Sequence, residues 1–297
     1  MNIDLISYYF HVNSDKKRFF FNKLSDYEIT FDELKYLSDH IPIIPRLFNN
    51  RYSISFNTLS LIGFNNKINN KVNGIPCGVL QNTPEQEEHI KRYDGIAEVI
   101  KKILKNKVKR IALQEFMPFI LKRLTNKEID DRLFTSGIII LQENLYVAIN
   151  AWESSFNNGV FAYILSDINS SIINCESFFD FWKKIDGTIG SKIIGQIVEI
   201  SSLDNRYKVL NIHLDKEHAE YSIPTIIEKL IYDKSIIEIV GDFNLTHDFF
   251  SKKFKEVLEN EKFKKLLNNS KITLTPNFGS LSTSYNIVDH SYTISHI

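Results

Sequence analysis

The sequence predicts an α/β protein in which two mixed β-sheets pack face to face and helices cover them on the outside. Three observations point there. Short strand patterns outnumber helical ones along the chain. Its 297 residues allow one large layered core or two small ones. Hydrophobic residues make up 43%, an ordinary globular share. Many short strands with fewer helices bury their apolar faces best as a four-layer α-β-β-α sandwich. No internal repeat or low-complexity linker divides the chain, so residues 1–297 read as a single domain.

The elements follow in order. Ile41 to Phe48 is apolar but interrupted by Pro42 and Pro45, which predicts an irregular ladder. Asn49-Asn50 reads as a tight hairpin turn, because Asn tolerates the left-handed conformation. In residues 51–57, Tyr52, Ile54 and Phe56 fall on one face, and Ser53, Ser55 and Asn57 on the other. Thr83-Pro84-Glu85-Gln86 is a capping box with proline at the first helical position. The helix it opens carries Ile90, Tyr93, Ala97, Ile100 and Leu104 at helical spacing. Lys101, Lys102 and Lys105 near its end suit the negative pole of the helix dipole; a phosphate-binding patch is the alternative. Strands are expected over 108–115, 136–149, 159–165, 193–201, 207–214, 236–240, 271–275 and 286–294. Helices are expected over 224–232, starting at Pro224, and over the stretch marked by Phe250, Phe254, Val257, Leu258 and Leu266.

Composition bounds the function. Lys+Arg and Asp+Glu both number 36, so the net charge is zero. A nonspecific nucleic-acid binder usually carries a basic excess, so any such affinity here requires a local basic groove. The two cysteines, Cys77 and Cys175, lie far apart with no metal-ligand spacing, which suits a reducing compartment. Met1 to Leu5 shows no basic segment followed by an apolar run, and no apolar stretch is long enough to span a bilayer. The expected location is cytoplasmic, or exported without a classical signal peptide.

Several short motifs carry polar chemistry. Asp242 and Asn244 follow an apolar strand through Gly241, and residues two apart at a strand end point the same way. One could accept a proton from water while the other orients it; an Asx turn is the plainer reading. Glu115 ends the strand Ile111-Ala112-Leu113-Gln114, and Asn57 follows Ser55-Phe56. Alone, these read as a solvated strand end and a turn. His213 closes Val209-Leu210-Asn211-Ile212-His213-Leu214. A zinc site pairing it with His218 lacks a supporting Glu-x-x-His geometry. Asp289 sits in Asn286-Ile287-Val288-Asp289-His290, and Ser38-Asp39-His40-Ile41-Pro42 lies near the N-terminus.

Taken together, these motifs resemble the signatures of the endonuclease/exonuclease/phosphatase superfamily, whose fold is that of deoxyribonuclease I. In that family Ser-Asp-His closes the chain. Here it comes first, and the cyclic order Asn57, Glu115, His213, Asp242/Asn244, Asp289, Asp39/His40 is the family's order. The chain thus resembles a circular permutant, with 1–37 as the segment preceding the displaced motif. Asp289-His290 fits the terminal motif less well, having no serine before it, no proline after it and only seven residues following.

The resemblance implies a phosphodiester hydrolase dependent on Mg2+, or on Mn2+. Glu115 would be the principal metal ligand, with Asn57 and Asp39 near it. Asp242 would activate water and Asn244 orient it; His213 and His40 would stabilise phosphoryl charge, and Asp289 would orient His40. A nuclease acting on DNA or RNA is the leading expectation. The alternative is a sphingomyelinase-like lipid phosphodiesterase or phosphoinositide phosphatase, contacting a phospholipid headgroup. The inositol 5-phosphatase signature Trp-Cys-Asp-Arg is absent around Asp289, against that branch. A catalytically silent binding module on the same fold is a third class.

Overall fold

The computed structural model describes residues 28–29, 53–58, 84–105, 109–116, 119–125, 136–150, 160–183, 189–203, 205–215, 218–277 and 289–297. Two mixed sheets form the middle of the molecule. The first has the order β1 (Ile54–Asn57), β2 (Arg110–Phe116), β5 (Val160–Ser166), β4 (Leu145–Asn150), β3 (Ser136–Gln142). The second runs β10 (Ile272–Pro276), β11 (Asp289–His296), β9 (Ile236–Asp242), β8 (Arg206–His213), β7 (Ile189–Ser202), β6 (Ser170–Lys183). β1 is parallel to β2 and β8 to β9, and the other pairs are antiparallel.

Side-chain alternation builds the layers. Helices α1 (Pro84–Lys105) and α2 (Phe119–Thr125) lay Tyr93, Ile96, Ile100 and Leu121 on Ile54, Phe56, Ile111 and Leu113 of the first sheet. Helices α3 (Ala219–Tyr232), α4 (His247–Leu258) and α5 (Glu261–Leu267) lay Ile226, Phe250 and Phe263 on Leu210, Ile212, Ile239 and Tyr292 of the second. The opposite strand faces meet at Ala112, Ala148, Tyr163, Val198, Val209 and Val240. Each large apolar side chain so buried stabilises the fold by roughly 1.5–3 kcal/mol. The expected four-layer α-β-β-α sandwich is therefore the observed one.

Lower in the sandwich, Glu238 of β9 ties the sheets together. Its Oε1 accepts from the Ser53 backbone N at 2.8 Å and from Ser291 Oγ at 3.1 Å, and its Oε2 from Ser53 Oγ at 2.9 Å. Ser53 Oγ also bonds the Tyr163 hydroxyl at 2.7 Å. Burial pushes the Glu238 carboxyl above its ordinary pKa, against the pull of the Ser53 bonds and the Arg110 charge.

Five element readings change, the first being the short helix α2, which was not expected. The strand over 136–149 is a hairpin, β3 and β4, broken where Asn144 adopts φ 63°. The long strand β6 was not anticipated; it pairs along β7 with irregularities near Ile172 and Phe178 that disturb a period-2 pattern. α3 starts at Ala219, so Pro224 lies inside the helix rather than at its start. The helix over 250–266 is two, because Asn260 caps α5 by accepting from the Lys262 backbone N at 2.9 Å.

The lysines at the end of α1 lie away from the polar motifs. That end leads into the start of β2, whereas Glu115 lies near the finish of β2, roughly 15–20 Å away at strand rise. Lys101 pairs with Glu98 and Lys102 donates to the Glu28 carbonyl. The Ser38–Phe48 half of the expected hairpin lies outside the described residues. Among those described, no helix is long and apolar enough to cross a membrane.

Candidate active site

Strand direction gathers the polar motifs at one end of the sandwich. The parallel pairs finish together, with Asn57 opposite Gln114 and His213 opposite Asp242. Antiparallel β11 begins at that same end, its first residue Asp289 opposite Asp242. Alternation then aims Asn57, His213 and Asp242 between the sheets, because Phe56, Ile212 and Ile239 belong to the helix-facing cores.

Glu115 needs a further device. It is one residue past Gln114, so regular alternation would turn it towards the helices. Instead its backbone is left-handed, at φ 49°, and the β2–β5 register shifts between Leu113 and Phe116. The bulge re-aims the carboxylate towards the other sheet. Thr58 holds the turn: its backbone N donates to the Gln114 carbonyl at 2.9 Å, and its hydroxyl reaches the Gln114 and Glu115 carbonyls.

The side chains then converge. Asn57 Nδ2 donates to Asp242 Oδ2 at 3.0 Å and to Glu115 Oε1 at 3.3 Å. His213 Nε2 lies 3.6 Å from Glu115 Oε1 and 3.8 Å from Asp242 Oδ2. Two strands of each sheet thus deliver an amide, two carboxylates and an imidazole to one point. Asp242 is 1% exposed, whereas the Glu115 and His213 side chains keep 17% and 16%, enough to meet a ligand from solvent.

The chain after β9 is tightly held. Gly241 has φ 144°, and a Cβ there would stand 1.9 Å from the Ile212 carbonyl oxygen, so only glycine lets β9 approach β8 beside Asp242. The Asn244 backbone N donates to Asp242 Oδ1 at 2.9 Å, and Asn244 Nδ2 donates to the Leu214 carbonyl at 2.6 Å. The Asx turn considered for this motif is therefore present, and it fixes one oxygen of Asp242.

His290 points the other way. It packs edge-on against Phe243 at 5.2 Å, and its Nε2 donates to the Leu245 carbonyl at 2.8 Å. Burial drives its pKa down to about 4, so the ring is neutral and outside the cleft. His218 is an exposed residue at the start of α3. Asp39 and His40 lie outside the described residues, and only the backbone of Asp289 is placed.

Among the described residues no group of three or more His, Cys, Asp and Glu side chains forms a ready metal cluster. Glu115 Oε1 and Asp242 Oδ2, both facing Asn57 Nδ2, nevertheless offer hard oxygen donors beside one another. They suit Mg2+, which keeps several waters and uses only one or two carboxylates. Sequence reasoning passed over Gln114 and Asn211, which lie directly beneath the site. It also missed Phe179 and Phe181, exposed and stacked at 6.0 Å near the same end of β6.

The architecture is an α/β sandwich consistent with the deoxyribonuclease I-like class. No family model and no curated protein matches the sequence. Solved structures do match its shape. A functionally unknown conserved protein from Enterococcus faecalis V583 is 14% identical, with TM-score 0.39 over 71% of this chain and 83% of that one. The human Nocturnin catalytic domain, solved with a bound sulfate anion, is 11% identical, with TM-score 0.36 over 69% and 87%. TDP2 from D. rerio, solved with a single-strand DNA product, is 10% identical, with TM-score 0.36 over 68% and 92%. The chemistry of this chain has to come from its own residues.

Proposed function

We propose that this protein is a metal-dependent phosphodiester hydrolase acting on nucleic acid. One observation carries the reading: Asn57, Glu115, His213 and Asp242 come from four strands, and Asn57 and His213 each lie 3.0–3.8 Å from both carboxylates. Glu115 would hold Mg2+ or Mn2+, and Asn57, whose Nδ2 donates to both carboxylates, would turn its amide oxygen towards the ion. An ion held there would supply positive charge against the phosphoryl oxygens. Asp242, fixed by Asn57 and by the Asn244 backbone, accepts the proton of the attacking water. Asn244 keeps Asp242 oriented through its turn. His213 donates to a phosphoryl oxygen from the opposite strand.

Asp39, His40 and Asp289 complete this site in the permuted reading. β1 is the terminal strand of the described first sheet, so an antiparallel partner from 41–48 would extend that sheet and bring His40 to the same end. Asp289, opposite Asp242 in register, would orient His40.

A second reading, hydrolysis of a phospholipid headgroup, is favoured by the exposed Phe179 and Phe181, since a lipid hydrolase needs apolar side chains at its rim. A panel of plasmid DNA, RNA, sphingomyelin and phosphoinositides with Mg2+ separates the two. Cleavage of DNA or RNA that weakens steeply with salt is expected. Turnover of liposomal phospholipid with no cleavage of nucleic acid at low salt would replace this reading with the second.

A further inference from the structure

Two motif residues have no part in the chemistry above: Gln114, just before Glu115, and Asn211, two before His213. They meet across the sheets. Gln114 Nε2 donates to Asn211 Oδ1 at 2.6 Å, and Gln114 Oε1 accepts from Ser55 Oγ at 3.3 Å. Asn211 Nδ2 reaches back to the first sheet, to the Leu113 carbonyl at 3.1 Å and the Ala162 carbonyl at 3.3 Å. It also lies 3.4 Å from Gln196 Oε1, and Gln196 Nε2 donates to Asn150 Oδ1 at 2.7 Å and to the Ala148 carbonyl at 3.0 Å. Ser55, Gln114, Gln196 and Asn211 are wholly buried.

This tier lies one step beneath the site. Ser55 precedes Asn57 on β1, Gln114 precedes Glu115 on β2, and Asn211 precedes His213 on β8. The neighbouring inter-sheet cluster is mostly apolar, with Ala112, Ala148, Val198, Val209 and Val240 among its members, so apolar side chains would have sufficed for burial alone. Apolar contacts are non-directional and specify the register of two sheets less sharply than hydrogen bonds do. A short amide pair fixes both spacing and register, and every buried group in it must be matched.

We infer that the Gln114–Asn211 pair is a positioning element that sets the distance between the Glu115/Asn57 half of the site and the His213/Asp242 half. The catalytic part of this inference rests on the hydrolase reading; the geometric part does not. Both amides act through other residues and touch no substrate.

The test uses the full chain and four variants: Gln114→Leu, Asn211→Leu, both together, and the exchange Gln114→Asn with Asn211→Gln. Crystal structures read the Asn57–Asp242 and Glu115–His213 separations, 3.0 and 3.6 Å in the wild type. Kinetics with bis(p-nitrophenyl) phosphate and Mg2+ read kcat and KM. Each single leucine variant is expected to widen both separations. It should lower kcat on the order of 10- to 100-fold, with KM within about twofold, because displacements near 1 Å cost this much at a reacting centre. The double leucine variant is expected to be no slower than the slower single, since both remove one joint. The exchange variant, which keeps the amide pair, should return kcat to within about fivefold.

Wild-type separations in a folded Gln114→Leu would overturn the inference, as would leucine effects that simply add. If Gln114→Leu does not fold, the exchange variant decides: loss of kcat in a folded exchange protein also overturns it. A wild type that turns over no phosphodiester would refute the hydrolase reading instead. The crystallographic separations would still decide the positioning role.

Discussion

Asp242 and Glu238 leave the same face of β9 four residues apart, and both reach across to the first sheet. Asp242 accepts from Asn57 and from the backbone of Asn244, beside a half-open Glu115 and His213. Glu238 accepts from both the backbone and hydroxyl of Ser53 and from Ser291, with Tyr163 and Arg110 around it and no opening to solvent. The difference lies in what is left over. Donors close around Glu238, whereas Asp242 shares its surroundings with a second carboxylate and an imidazole that solvent can reach. The lower carboxyl joins the sheets; the upper one has capacity for a ligand.

The comparison can be broken at both ends by Gly241→Ala. A methyl group 1.9 Å from the Ile212 carbonyl would force β9 away from β8, disturbing Asp242 and the inter-sheet joint below it. We expect a loss on the order of 3–5 kcal/mol in denaturant unfolding, the range of severe backbone clashes.

Glu238→Ala should touch only the lower end. It orphans the Ser53 backbone N and leaves two hydroxyls without their acceptor. The expected cost is about 3 kcal/mol in chemical denaturation, with the upper site intact. Glu238→Gln can retain the Ser53 and Ser291 bonds and should be near neutral.

Acidity sharpens the contrast. Glu238 is raised by burial, so its stabilising contribution is present below the unfolded carboxyl value near 4.5 and lost as pH rises through the folded value. Glu238→Gln should flatten that decline. His290 is lowered by burial from 6.5 to about 4. Its contribution is present above 6.5 and lost as pH falls towards 4, by roughly 3 kcal/mol. In pH-dependent unfolding, His290→Phe should remove most of that acid limb.

The smallest effect belongs to the lysines at the end of α1. Replacing Lys101, Lys102 and Lys105 with alanine should leave hydrolysis within about twofold of wild type, since their contacts are exposed and lie at the far end of β2. A large drop in rate would support the phosphate-patch reading.

Much of this organisation is legible in the sequence. Alternation in 51–57 and in 207–214 carries enough information to aim Asn57 and His213, because one face of each strand is visibly apolar. The capping box likewise marks α1. Glu115 is legible only through the Leu-Gln-Glu resemblance, since period-2 reasoning turns it to the wrong face and the bulge that corrects this has no local signature. β6 hides for a related reason: its irregular pairing places Phe179 and Phe181 in the open, where a strand pattern expects polar residues. Gln114 and Asn211 were visible as letters of two motifs, but their contact crosses the sandwich between residues 97 apart and no local pattern encodes it.

In the proposed function the Asp242 end hydrolyses phosphodiesters and the Glu238 end only joins the sheets. The most direct measurement is the initial rate of plasmid cleavage with Mg2+ for the wild type, Asp242→Asn, Glu115→Gln and Glu238→Gln, each confirmed folded and each repeated with EDTA. We expect Asp242→Asn and Glu115→Gln each to fall on the order of 10²-fold or more. Glu238→Gln should stay near wild type, and EDTA should abolish cleavage. Wild-type rates in Asp242→Asn, or cleavage that survives EDTA, would contradict the account.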